Sequence, residues 1–202
     1  MDYGGNMKKD LSEMSKEELW RLFPIILKEH NPQYKEWYES EKNSLLQLIK
    51  KEDIYRINHI GSTAVSGLMA KPTVDILLEL NQCCDYFQLI KRLKENHWIL
   101  MSEEYEPGLW LVFNKGYTAE GFEEKVFHLH VRYLGDWNEL YFRDYLIDHP
   151  EVSKAYGLLK MSLWKKYEFN RDAYTQAKSE FINSYTKKRD WNILDVMTFI
   201  HK

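Results

Sequence analysis

Residues 59–80 read HIGSTAVSGLMAKPTVDILLEL. Gly61 and Ser62 close a strand-like segment, Lys71-Pro72 ends a small-residue loop, and Asp75 is a lone carboxylate early in an apolar run. Each residue type suits a phosphate site. Glycine lets the backbone approach a ligand, and successive backbone N–H groups cradle phosphate oxygens. The Ser62 hydroxyl adds a donor, with Thr63 beside it. Lys71 supplies a point charge suited to phosphate. A carboxylate on the next strand, Asp75, can hold Mg²⁺ against phosphate oxygens. Together these residues outline a site for a nucleotide or another phosphorylated small molecule. Glycine and serine are also ordinary turn residues. Pro72 confines Lys71 to extended geometry, which a phosphate site and a structural turn would use equally.

Two histidines add a second constellation. His128 and His130 are spaced by two in an apparent strand, so they share a face. If that strand neighbours the Asp75 strand, three outcomes are open. One histidine can act as general base toward a hydroxyl or water. Both can join Asp75 around a transition metal, which they suit better than Mg²⁺. Or they are half-buried histidines bonded to Asp75 or to backbone. Arg143, beside Asp144 in FRDYL, reads either as an ion pair tying its helix down or as a phosphate contact. Lys160 and Lys178 read as solvated or helix-pairing lysines, of interest only where their helices cover the mouth of the Gly-Ser pocket. Tyr156 and Tyr174 read as packing residues, and His59 as a turn or core histidine.

These residues need elements to position them. Ser15 with Glu18 is a capping-box signature, and the apolar spacing after it predicts a helix to about residue 29. Asn31-Pro32 starts a second helix that ends near residue 50. Segments 54–60 and 73–80 read as strands and 85–96 as a helix. WILMSEEY, LWLVFNKGY and KVFHLHVRYL read as three more strands, with Pro107-Gly108 as a turn between the first two. From Asp136 onward the pattern is helical, with Pro150 at a first-turn position. The order of helices, mixed sheet and helices predicts an α+β, or mixed α/β, chain. The expected organisation is a flexible leader over 1–14, one domain over 15–187 and a helical tail over 188–202.

Bulk properties narrow the function. A formal net charge of −3 over 202 residues argues against a general nucleic-acid binder and against a polybasic membrane partner. No apolar run approaches transmembrane length, and the N-terminal stretch lacks an apolar signal core. Cys83 and Cys84 are adjacent and lack metal spacing, so they read as reduced thiols in a cytoplasmic protein.

HIGSTAVSGLMAKPTVDIL resembles the signature of the GrpB family, bacterial proteins with the nucleotidyltransferase fold. ELWRLFPIILKEH and YKEWYESEKNSLLQLI resemble its N-terminal helices. HLHV at 128–131, FRDYLIDHP at 142–150, AYGLLK at 155–160, and Tyr174 with Lys178 resemble its C-terminal half. The likeness runs from about residue 15 to 187. Ser66 stands where the family's loop has proline, which loosens the loop slightly. The resemblance implies a nucleotidyltransferase-like mixed sheet between N-terminal helices and a C-terminal helical region. It implies nucleotidyl transfer with Mg²⁺, or a binding or accessory module that keeps the fold without the chemistry. A related domain fused to dephospho-CoA kinase in some bacteria suits the accessory reading.

Transferases of that fold pair Gly-Ser with two acids on one strand. Asp75 matches the first, and Leu77 stands at the second. Glu79 is on the same face but two positions too far. Strand residues i and i+2 lie roughly 6.6 Å apart, and i and i+4 about 13 Å. Paired metal ions sit about 3.5–4 Å apart.

Overall fold

The computed structural model describes residues 9–186. The first eight positions of the expected leader and the expected helical tail lie outside the described residues. Asp10 caps a short 3-10 turn over Leu11–Glu13, so positions 10–14 of that leader carry local structure. Ser15 caps α1 (Lys16–Leu22), and its capping box with Glu18 is closed in both directions.

α1 ends at Leu22, seven residues short of the expected boundary. Pro24 is the reason. Its ring bars the preceding Phe23 from helical geometry, and Phe23 sits at φ −120°, ψ 65°. The chain then runs extended. Phe23, Ile25 and Leu27 alternate inward, a period of two rather than the helical stripe read from sequence. Ile25 N–H donates to the Glu168 carbonyl at 2.9 Å, and Lys28 pairs with Ala70 through two bonds of 2.9 Å. The extended segment thus ties the N-terminal region to the loop before Lys71.

The remaining elements follow the expected order. α2 (Gln33–Leu48) turns Tyr34, Tyr38, Glu41 and Leu45 inward along one stripe. β1 (Ile54–Ile60), β2 (Thr73–Leu80), α3 (Tyr86–Glu95), β3 (Ile99–Glu104), β4 (Trp110–Thr118) and β5 (Gly121–Tyr133) come next. Then α4 (Asn138–Asp148), α5 (Pro150–Tyr167) and α6 (Arg171–Thr186) close the described chain, with Pro150 in the first turn of α5. The strands form one mixed sheet in the order β1-β2-β5-β4-β3, with β2 and β5 parallel and the other pairs antiparallel.

β2 is an interior strand, paired on both sides, and buried at every position except Asp75. That is why its sequence is nearly continuous in apolar residues. One core packs Val74, Ile76, Leu78 and Leu80 with residues of α2, α3, β4 and β5. A smaller core joins Val65 and Leu68 of the Gly-Ser loop to Leu146, Val152 and Tyr156 of α4 and α5. The C-terminal helices are therefore anchored on that loop. Among the described residues, no helix is long and apolar enough to cross a membrane.

Candidate functional site

The site starts where β1 leaves the sheet. Ile60 pairs with Asp75, so the next residue, Gly61, is set against the Asp75 carboxylate. Gly61 has φ 72°, and a Cβ at this position would collide with Asp75 Oδ2. Only glycine fits that backbone and that contact. Ser62–Ala64 then form one 3-10 turn. Thr63, expected beside Ser62 in the cradle, is buried. Its hydroxyl donates to the Thr73 carbonyl at 3.2 Å and bonds the His59 ring at 3.0 Å. His59 is half-buried and stacks on Tyr38 with ring centroids 4.8 Å apart, and burial pushes its imidazole down to about 4.

Parallel pairing of β2 with β5 places Asp75 opposite His128, and Leu77 opposite His130. Both histidines reach the carboxylate. His128 Nδ1 lies 3.1 Å from Asp75 Oδ1, and His130 Nε2 lies 3.8 Å from the same oxygen. Burial works against the Asp75 charge, but bonds from His128 and then His130 hold the carboxyl well below its usual range. Burial lowers the His128 pKa against the pull of Asp75. A neutral His128 beside an ionised Asp75 donates from Nδ1, which leaves Nε2 as an acceptor. Tyr117 Oη occupies that position at 2.7 Å. Arg171 Nη2 in turn donates to Tyr117 Oη at 3.1 Å.

Neither Tyr117 nor Arg171 stands out from sequence, and a bulge explains the first. Asn114 of β4 pairs with His128, so regular alternation would turn residue 117 to the opposite face. The register slips between Lys115 and Tyr117, where Gly116 adopts φ 87°. The slip is three positions, with Gly116 alone facing residues 123–126 of β5, and an odd slip exchanges the faces of the side chains beyond it. Tyr117 therefore joins His128, its ring fixed by edge contacts to Phe23 at 4.9 Å and Phe122 at 5.2 Å. A glycine inside a strand pattern is the one local signal that marked this position.

The C-terminal helices bring cations to the same place. Lys160 of α5 is 2% exposed and bonds the Gly-Ser turn, so of the two expected roles, solvated or helix-pairing, the solvated one does not hold. Its ammonium donates to Ser62 Oγ at 2.8 Å and to the Met69 carbonyl. Burial, then Lys178 and Lys71, push it down to about 6 against the attraction of Asp75. Lys71 is half-buried and makes no side-chain hydrogen bond or ion pair among the described residues. Burial, then Lys178 and Arg171, push it down to about 7. Lys178 of α6 is lowered to about 8, chiefly by burial. α5 thus brings Lys160 onto the Gly-Ser turn, and Lys178 of α6 stands near enough to act on Lys160 and Lys71. Lys71 and Arg171 also line an adjoining cavity of about 440 Å³, whose other walls include Tyr34, Trp37, Phe122 and Val126.

Other expected residues are placed elsewhere. Arg143 donates to Asp144 at 2.7 Å and to the His59 carbonyl at 2.9 Å. It lines a separate cavity with His59 and Thr63. Glu79 is bound by Arg56 and accepts from Gly135 N–H at 3.2 Å. Leu77 is fully buried. The Mg²⁺ that the fold implies finds a poor donor set here. Mg²⁺ requires several hard oxygen ligands in octahedral array. Asp75 offers one carboxylate, already engaged by His128, among four cationic side chains. Among the described residues, no group of three or more His, Cys, Asp or Glu is placed to hold a metal ion.

Comparison with known proteins agrees with this architecture. Residues 24–188 match the family described as GrpB protein. The glutamate-rich protein GrpB of Alkalihalophilus pseudofirmus is 39% identical over 163 residues, covering 79% of this chain and 92% of that protein. The crystal structure of GrpB from Enterococcus faecalis superposes with a TM-score of 0.69 at 28% identity, over 81% of this chain and 96% of that one. The Cid1 poly(U) polymerase, in a crystal structure with Mg and 3'-dATP bound, superposes with a TM-score of 0.50 at 12% identity. That match covers 80% of this chain and 51% of the polymerase, and it speaks to the fold alone. The chain belongs to the GrpB family and has a nucleotidyltransferase-like fold.

Proposed function

We propose that this protein binds a nucleotide or another phosphorylated small molecule between the Gly61-Ser62 turn and helices α5 and α6. The observation that carries the proposal is the charge count of the site. Lys71, Lys160 and Lys178 all feel the single Asp75 carboxylate, Arg171 bonds Tyr117 in the same network, and the carboxylate is already bonded by His128. Burial first, and then mutual repulsion, disfavours the charged lysines in the ligand-free protein, and an anion would relieve both. The adjoining cavity of about 440 Å³ is of small-ligand size and the chain is slightly acidic, which favours a small ligand over nucleic acid. Cys83 and Cys84 are free thiols, in keeping with a reducing, cytoplasmic setting.

Nucleotidyl transfer is the second reading. The fold likeness to Cid1 supports it. Leu77 and the engaged Asp75 weigh against a metal-dependent form, so phosphate binding ranks first.

Calorimetric titration tests the pair. Pyrophosphate and each common NTP are titrated into the wild type, Lys71→Ala and Asp75→Asn, with and without Mg²⁺. Binding is expected without Mg²⁺ and should survive Asp75→Asn. Loss of one charged contact at Lys71 should weaken it about tenfold or more. Affinity should fall as pH rises from 6 to 8, because Lys160, Lys71 and Lys178 lose protons in that window. Binding that requires both Mg²⁺ and Asp75 would favour transfer. Absence of binding under every condition would defeat the phosphate reading.

A further inference from the structure

Asp75 Oδ1, His128 Nδ1, His128 Nε2 and Tyr117 Oη form a continuous hydrogen-bonded line, with steps of 3.1 Å and 2.7 Å. This is the connectivity that activates a hydroxyl nucleophile. A carboxylate fixes the imidazole tautomer and stabilises its charged form, and the far ring nitrogen takes the hydroxyl proton. Here a phenol stands where a serine hydroxyl commonly does. The ring is held in place by Phe23 and Phe122 and lies nearly parallel to His128, at an interplanar angle of 20°. Tyr117 is half-buried, and its hydroxyl is bonded by Arg171, which with Lys71 lines the adjoining cavity.

We infer that Tyr117 is a nucleophile that takes a nucleotidyl group from a phosphoanhydride, with His128 as its general base and Asp75 as the positioning carboxylate. The inference rests on the phosphate-binding reading for its electrophile. The phenol oxygen forms a bond to the α-phosphorus of a nucleoside triphosphate. The bond from that phosphorus to the bridging oxygen breaks, and pyrophosphate leaves with the electron pair. The phenol proton passes to His128 Nε2, while Asp75 remains ionised and accepts from Nδ1. The products are a nucleotidyl-tyrosine and pyrophosphate, with no change in oxidation state. Burial first, against the pull of Arg171, keeps the phenol protonated at rest. Proton removal therefore belongs in the bond-forming step, where a neutral His128 is available. Arg171 and Lys71 are placed to stabilise the charge that develops on the phosphorus oxygens.

Two measurements on the full chain test this. In the first, wild type and Tyr117→Phe are incubated with each common NTP and analysed by intact mass and peptide mapping. A mononucleotide adduct on the Tyr117 peptide is expected, with stoichiometric pyrophosphate, and none in Tyr117→Phe. That variant keeps the ring packing, and pyrophosphate titration checks that its pocket survives. In the second, an arylsulfonyl fluoride probe reports tyrosine reactivity without any nucleotide. Tyr117 should label about tenfold or more faster than Tyr55, despite the 54% exposure of Tyr55, and His128→Gln should abolish the difference. Pyrophosphate binding with no adduct from any NTP would overturn nucleotidyl transfer to Tyr117 and leave the phosphate reading standing. Equal labelling of Tyr117 and Tyr55 in the wild type would overturn the relay itself. Failure of pyrophosphate to bind would remove the electrophile, and the inference with it.

Discussion

Lys160 places a titratable amine where charge is disfavoured. Its ammonium is buried among α5, the Ser62 hydroxyl and the Met69 carbonyl, with Lys178 and Lys71 close enough to lower it further. Its native pKa of about 6 lies far below that of an unfolded lysine, about 10.4. Between those values the unfolded chain binds a proton that the folded chain does not. Folding stability therefore rises with pH across that window and is lost as pH falls toward 6. Lys160→Met removes this dependence. Urea unfolding at pH 9 and pH 6 should show Met gaining on the wild type at the lower pH, by up to about 1.4 kcal/mol per pH unit. A difference that stays constant with pH would show Lys160 to be charged in the fold. The same variant loses a cation from the pocket, so its pyrophosphate affinity should fall.

At the scale of elements, two glycines decide where side chains point. Gly61 lets β1 turn against the Asp75 carboxylate, and Gly116 makes the slip that turns Tyr117 toward His128. A Cβ at position 116 would collide with the Lys125 carbonyl, and φ of 87° is costly for any side chain. Gly116→Ala should lower stability by about 1–2 kcal/mol, seen in the urea midpoint. It should also slow Tyr117 labelling while leaving Tyr55 unchanged, because it disturbs the bulge and not the surface. Local pattern served well for the elements themselves. β2 read as a buried strand because it is one, and the Ser15–Glu18 box marked the start of α1. The end of α1 went astray for a local reason too. The apolar spacing over residues 19–27 suits a helix, and Pro24 overrode it.

For the molecule as a whole, the shifted groups act in one direction. His59, His128, Lys71, Lys160 and Lys178 all have native pKa values below their unfolded ones. Each makes the unfolded chain bind more protons, so ligand-free stability should rise from pH 5 to pH 8. Asp75 is lowered as well, but its contribution is lost only as pH falls below about 4, outside that window. Thermal unfolding across pH 5–8 should show the midpoint climbing with pH. Pyrophosphate should reduce the slope by lifting the acidic end most. At a hundredfold excess over Kd the gain is about 2.7 kcal/mol. A midpoint that falls between pH 5 and 8 would contradict the buried, cation-crowded pocket.

The sequence by itself determined the order of elements, the glycine turn before a strand bearing one carboxylate, and two histidines on one strand face. These are local properties, set by period, turn chemistry and proline. It also carried the family resemblance. Only the tertiary structure decided that Asp75 pairs with His128, that Lys160 reaches Ser62 and that Arg171 reaches Tyr117. Those partners are separated by 53, 98 and 54 residues. Strand order and helix docking bring them together, and no spacing in the chain encodes that. The bulge at Gly116 joins the two levels. A glycine was legible, but whether it flips the next side chain depends on the neighbouring strand against which the register slips.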